Sequence, residues 1–95
     1  MAEDRTVSEE RTVSEVERTI RGMLAEALRV DRGEIDRLPA GTELFGPRIA
    51  LSSLAGAALL GAIRREYGVD VADEDLNLDS LESIATLRDF VAERV

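Results

Sequence analysis

Leu51-Ser52-Ser53-Leu54-Ala55-Gly56-Ala57-Ala58-Leu59-Leu60-Gly61-Ala62-Ile63 is the stretch whose reading decides the fold. It predicts a helix from Ser53 to Tyr67, ended by Gly68, because glycine tolerates the left-handed conformation that stops a helix. Leu59, Leu60, Ile63 and Tyr67 fall on one face and form the buried side. Leu54, Ala57, Ala58 and Gly61 fall largely on the other. That outward face is small and apolar where a solvated helix would carry charge, so it offers a smooth surface for another molecule. At the mouth of the helix stands a hydroxyl. Activating a serine as a nucleophile takes an adjacent base, usually histidine, and the chain has none. A presented but unactivated serine is one that another enzyme modifies.

Upstream, Ser14 and Glu17 have capping-box spacing and predict the start of a first helix. Val16, Ile20, Met23, Leu24, Ala27 and Leu28 line one face of it, and Asp31-Arg32-Gly33 supplies a stop. Residues 1–12 are polar and contain Arg5-Thr6-Val7-Ser8-Glu9, which recurs as Arg11-Thr12-Val13-Ser14-Glu15. One short duplication is no solenoid, and we expect a flexible, dispensable tail there, with the domain proper at 13–95. Between the two helices, residues 34–51 form a long connection containing both prolines. Loops of this length are uncommon in compact domains unless tied down. Ile35, Leu38, Leu44, Phe45 and Ile49 are expected to insert into the core at intervals.

Downstream, Val69 and Val71 lead into Asp73-Glu74-Asp75, a short acidic turn or helix. A last helix is expected from about Leu81 to the C-terminus, burying Ile84, Leu87, Phe90 and Val91, with Asp79 or Ser80 as its N-cap. The fold class is therefore all-α, a small antiparallel bundle of three main helices and one short one.

Composition removes whole classes of function. A 95-residue chain makes one domain. Without cysteine or histidine it has no disulfide and no ordinary zinc site, and no catalytic base, nucleophile pair or metal cluster is visible. We read it as no enzyme. A net charge of −8 repels phosphate backbones and argues against nucleic acid. No apolar run approaches the ~20 residues of a membrane span, and the charged N-terminus is no signal peptide. The expectation is a cytoplasmic monomer that engages neither membrane nor nucleic acid.

The order of helix, long loop, serine at the mouth of helix two, short helix and closing helix resembles the acyl and peptidyl carrier proteins of the free-standing type. The resemblance runs from about Ser14 to Val95. The family pattern around the modified serine reads roughly glycine, apolar, aspartate, serine, leucine, and Ala50-Leu51-Ser52-Ser53-Leu54 occupies those places. Arg64-Arg65-Glu66-Tyr67-Gly68-Val69-Asp70-Val71 looks like the family's end of helix two. Glu74-Asp75-Leu76-Asn77-Leu78 and Ser83-Ile84-Ala85-Thr86-Leu87-Arg88-Asp89-Phe90-Val91 look like its third and fourth helices. The resemblance implies a 4′-phosphopantetheine arm attached covalently at Ser53. It also implies a phosphopantetheinyl transferase and acyl-loading and acyl-processing enzymes as partners, with Leu54, Ala57, Ala58 and Gly61 as the docking face.

Two departures from the pattern stand out. Ser52 replaces the aspartate that helps the transferase orient its substrate. Helix two is also far less acidic than in fatty-acid carriers, offering only Glu66 beside Arg64 and Arg65, which suits a dedicated polyketide or peptide pathway. Asp79-Ser80-Leu81 matches the aspartate-serine-leucine core more closely than Ser52-Ser53-Leu54 does. Too little chain follows it, however, for a recognition helix and a closing helix. The cargo implied is an acyl group of a polyketide-type secondary-metabolite pathway. The same features would serve an aminoacyl or peptidyl carrier, and the Ser52 replacement leaves open an interaction module that is never modified.

Overall fold

The computed structural model describes residues 2–95, with side chains from Val13 onward. The expectation of a flexible tail over 1–12 concerns residues whose side chains lie outside that range. Helix α1 is Ala2–Leu28, α2 is Arg32–Asp36, α3 is Ser53–Tyr67, α4 is Val71–Glu74 and α5 is Ile84–Ala92, with one 3-10 turn at Asp79–Leu81 before α5. No strand occurs among the described residues, although Glu43 and Ser83 form an isolated antiparallel bridge. The class is all-α, with α1, α3 and α5 as the main helices of the bundle. No helix among the described residues is long and apolar enough to cross a membrane.

The core follows the apolar periodicity of the three long helices. Val16, Ile20 and Leu24 of α1 meet Leu59 and Ile63 of α3 and Ile84, Leu87 and Val91 of α5, all buried in one cluster. Leu60, Tyr67 and Phe90 are half-buried and pack at its margin. Ala55 also belongs to the buried face of α3, one turn ahead of the leucines that mark that face in the sequence.

Both ends of α1 differ from the expectation. The helix is already running at Ser14, so Ser14 and Glu17 do not cap it. Its C-terminus closes on Arg29, at φ 57°, with the Val30 amide donating to the Ala25 carbonyl at 3.0 Å. This is the hydrogen bond of a Schellman close, made here by an arginine in the left-handed region instead of a glycine. Gly33 lies inside α2, a short helix within what the sequence presents as the end of helix one and the start of a loop.

The long connection is ordered by the side chains expected of it, with one exception. Ile35, Leu44 and Ile49 are buried and Leu38 packs against the core, but Phe45 is 61% exposed. Leu44 and Phe45 are the central residues of a turn closed by the Gly46 amide donating to the Glu43 carbonyl at 3.3 Å, which sends one side chain inward and the next outward. The backbone of the loop is stitched to the start of α5. The Leu44 amide donates to the Glu82 carbonyl (3.1 Å), Ile84 to Thr42 (3.3 Å) and Ala85 to Ala40 (2.7 Å).

A charged residue holds the other end of the loop. Arg21 is only 8% exposed. Its Nη1 donates to the carbonyls of Ile35 (2.7 Å) and Leu38 (2.8 Å), while Nε meets Glu17 at 3.1 Å. Glu17 also receives Arg88 Nη1 of α5 at 2.7 Å, linking α1 to α5. The Arg88 hydrogen bond, with Arg21 behind it, holds the Glu17 carboxyl below its ordinary value of 4.5 against a smaller opposing effect of burial.

The last helix also begins differently. Ser83 is its N-cap, locked in a reciprocal capping box with Thr86, and α5 starts at Ile84 instead of near Leu81. Ser80 caps nothing. It is buried in the 3-10 turn, where its amide donates to Asp75 Oδ2 at 2.8 Å. The nearby Ser80 hydroxyl and the Ser80 amide, which donates to Asp75, hold the Asp75 carboxyl below its usual range, although the hydroxyl itself is buried without a partner at hydrogen-bond geometry.

Two outcomes follow from this packing. Leu59→Ala and Ile63→Ala should each cost roughly 2–5 kcal/mol in urea unfolding, while Ala58→Glu, on the exposed face, should leave the midpoint nearly unchanged. Equal losses at all three positions would contradict the assignment of faces. A carboxylate with a depressed folded-state pKa stabilises the fold above its unfolded value, and that contribution is lost as pH falls through the folded value. Glu17 should therefore support stability at neutral pH and lose it on acidification below about 4.5. Glu17→Gln should lower stability at pH 7 by about 1 kcal/mol and flatten the acid limb of the stability curve; an unchanged acid limb would exclude Glu17 as its source.

Candidate functional site

The mouth of α3 is built by the loop that precedes it. The Leu51 amide donates to the Leu44 carbonyl at 2.9 Å and the Ala50 amide to the Gly46 carbonyl at 2.7 Å. Residues 44–51 thus form a ring closed at its base, and the Leu51 side chain is buried. Since Leu44 is itself bonded to Glu82, the start of α3 is fixed relative to the start of α5. Ala50 turns the chain with φ at 48°, in the left-handed region that favours glycine.

Ser52 is the N-cap of α3, in extended backbone, and its Oγ accepts the Ala55 amide at 3.0 Å. Ser53 is the first helical residue, exposed to solvent, and its Oγ makes no hydrogen bond among the described residues. The two adjacent hydroxyls therefore have different employment. One satisfies a free amide of the helix end, and the other is presented. The first turn of α3 holds no acidic side chain, so the partial positive charge of the helix end is not offset there. At the far end Gly68 closes the helix at φ 71°, its amide donating to the Arg64 carbonyl.

Of the four residues expected on the docking face, Leu54 is 84% exposed, Ala57 and Ala58 are exposed and Gly61 is half-buried. All four lie along α3 C-terminal to Ser53, away from the buried line of Ala55, Leu59 and Ile63. The competing serine, Ser80, is 6% exposed. Its disadvantage is burial in a tight turn, and not the capping role that the sequence suggests for it. Phe45 is a residue that sequence reasoning misplaces, because an aromatic side chain in a polar loop reads as an anchor. Arg21 is missed altogether, since no pattern marks a charged residue as buried.

The family model described as "Phosphopantetheine attachment site" matches residues 18–91, most of the chain. A search of curated proteins and a search of solved structures each found no match.

The left-handed Ala50 carries a prediction for the site. A residue with a Cβ is strained there by roughly 1–2 kcal/mol, partly offset by the greater freedom glycine gains on unfolding. Ala50→Gly should raise stability by about 0.5–1 kcal/mol, read as an upward shift in thermal midpoint. A lowered midpoint would mean that the turn before Ser53 is not left-handed.

Proposed function

The chain belongs to the family of phosphopantetheine attachment domains, and from that premise we propose that it carries acyl intermediates as thioesters on an arm joined to Ser53, in a polyketide-type pathway of secondary metabolism. Members of this family hold 4′-phosphopantetheine covalently on a serine, are generally non-catalytic, and interact with a phosphopantetheinyl transferase and with biosynthetic enzymes. The observation that carries the choice of residue is the exposed, unengaged Ser53 hydroxyl at the mouth of α3, set against the buried Ser80.

In this reading the Ser53 Oγ attacks the diphosphate of coenzyme A on the transferase. An Oγ–phosphorus bond forms, the phosphorus–oxygen bond to the nucleotide half breaks, and the serine proton passes to the transferase. The arm, once attached, supplies a thiol that holds the cargo as a thioester. The chain's own residues have three tasks. The free amides of the first turn of α3 would stabilise the phosphodiester anion. Ser52 keeps the helix end capped without engaging Ser53. Leu54, Ala57, Ala58 and Gly61 give partner enzymes an apolar footing beside the arm. The chain brings no cysteine, so the arm's thiol has no competitor on the same molecule. A cytoplasmic setting, where coenzyme A and the transferase are at hand, goes with this reading.

One observation favours a second reading, an interaction module that is never modified: Ser52 stands where the family offers its transferase a carboxylate. A single experiment separates the two. The chain is incubated with a broad-specificity phosphopantetheinyl transferase, magnesium and coenzyme A, then weighed intact and mapped by peptide. The wild type and Ser80→Ala should gain the mass of the arm, and Ser53→Ala should not. Ser52→Asp should be modified faster, since aspartate caps a helix as well as serine does and restores the missing charge. An arm mapped to Ser80, or a wild type that several transferases leave unmodified, would overturn the carrier reading.

A further inference from the structure

We propose that this chain keeps amine, thiol and imidazole nucleophiles away from the thioester it carries, so that a cargo reactive enough to acylate an amine survives the wait between enzymes. The inference rests on the carrier reading above. All twelve bases are arginine, and the sequence holds no lysine, cysteine or histidine. Those are the side chains that attack a thioester carbonyl most readily near neutral pH. A lysine amine turns the thioester irreversibly into an amide. A cysteine thiolate takes the acyl group by exchange, and an imidazole passes it on to water. A guanidinium stays protonated in proteins and has no electron pair to offer.

The arginines fall into two groups. Arg21 donates to two carbonyls and to Glu17, and Arg88 meets both Glu17 and Asp89. Arg32 meets Asp36 and the Arg18 carbonyl. Arg94 meets Glu74 and the Phe90 carbonyl, with its Cζ 3.4 Å from the centre of the Phe90 ring. A planar fork suits such multiple contacts better than the point charge of an ammonium. Every arginine side-chain hydrogen bond among the described residues belongs to these four. Arg18, Arg29, Arg37, Arg48, Arg64 and Arg65 are different. They are exposed, and none of them forms an ion pair among the described residues. The fold asks those places only for solvation and positive charge, and lysine supplies both. Guanidinium geometry is not used there. What distinguishes arginine from lysine at such places is that it does not react.

Some of them lie close to the serine along the chain. Arg48 belongs to the ring of residues 44–51 that ends at the mouth of α3. Arg64 and Arg65 are on α3 itself, Arg64 about 16 Å along the axis from Ser53 at the helical rise, within the sweep of an extended pantetheine arm. A short flexible tether holds its end group at an effective concentration of about millimolar toward groups it can reach. An amine at these places would therefore meet the cargo repeatedly. The nucleophiles that remain are poor ones. Tyr67 packs against the core, and serine and threonine hydroxyls attack only when a base activates them.

The test loads the full chain with an acetyl thioester. Given acetyl-coenzyme A, the transferase joins the Ser53 Oγ to phosphorus and releases the nucleotide half, leaving the acetylated arm on the protein. Arg48→Lys, Arg64→Lys and Arg65→Lys are loaded in parallel; each keeps its charge, and circular dichroism checks each fold. In a variant, the amine attacks the thioester carbonyl, the nitrogen–carbon bond forms, the carbon–sulfur bond breaks and the amine's proton passes to the thiol. After incubation at mildly alkaline pH, hydroxylamine strips the remaining thioester, and peptide mapping locates acetyl groups held as amides. The wild type should hold none, having lost acetyl only to water. One or more of the lysine variants should hold it at the substituted position and lose it from the arm about threefold faster or more. The same variant with Ser53→Ala, given free acetyl-coenzyme A, should stay unacetylated. The inference is overturned if no variant gains the amide, if the wild type passes acetyl to other groups of the chain as fast, or if the armless variant is acetylated as readily from solution. A wild type that never gains the arm's mass would instead remove the carrier reading, so the two failures are told apart.

Discussion

The Arg21 guanidinium stands where α1, α2 and the long loop converge, donating to two carbonyls of the segment that follows α1 and to Glu17 on its own helix. Buried backbone carbonyls need partners, and the turn from α2 into the loop has no strand or long helix to provide them. The Arg21 cation supplies a partner for the Leu38 carbonyl and a second one for the Ile35 carbonyl, which also accepts the Leu38 amide at 3.1 Å. Burying a guanidinium is costly unless it is paired and fully hydrogen-bonded, and Glu17 supplies the counter-charge. Glu17 in turn binds Arg88 of α5, so one charged cluster joins the first helix, the loop and the last helix. The hydrophobic core brings these elements together. The cluster fixes how the loop lies across them.

Its consequence reaches the serine through backbone. With the loop held at Ile35 and Leu38, its second half is pinned to α5 through Leu44 and Glu82, and Leu51 is pinned to Leu44. Ser52 and Ser53 follow directly. The start of α3 is thus positioned by α1 through Arg21 and by the turn before α5 through Glu82, although α3 alone carries the hydroxyl. A rigid base under an exposed side chain is what a presented group requires, because an unconstrained loop would leave the hydroxyl's position to chance.

Helix α3 was legible from sequence to the residue, because its punctuation is local. Ser52 is a preferred cap, Gly68 is a preferred stop, and the apolar face between them repeats at helical spacing. The ends of α1 were not legible for the converse reason. The Ser14 and Glu17 pattern is satisfied equally by a residue pair inside a longer helix, and Glu17 is claimed by Arg21 one turn on and by Arg88, a distant partner that no local pattern encodes. The stop at Arg29 needs a left-handed arginine, which tertiary packing tolerates and propensity does not suggest. Ser80 and Ser83 show the same limit. Both precede an apolar run, and only the reciprocal bond with Thr86 decides that Ser83 is the cap. At the site, position along the chain separates Ser53 from Ser80, and the two serines also differ in exposure, Ser53 open to solvent and Ser80 buried.

The pair Ser52-Ser53 bears on how a family motif can change at one position and keep its fold. An aspartate before the serine would perform two tasks, accepting an amide at the helix end and offering negative charge to the transferase. Ser52 retains the first, since its Oγ accepts the Ala55 amide. The second is lost with the carboxylate. Serine and aspartate are nearly equal as helix caps, so stability exerts little preference between them, and the difference falls on recognition alone. The same separation holds further along α3, where Arg64 and Arg65 are exposed and leave the core of Leu59 and Ile63 untouched. In this chain the features that specify the bundle lie on one side of α3 and those that depart from the family's usual charge lie on the other. A change of partner can therefore be accommodated on the exposed side without a change of fold.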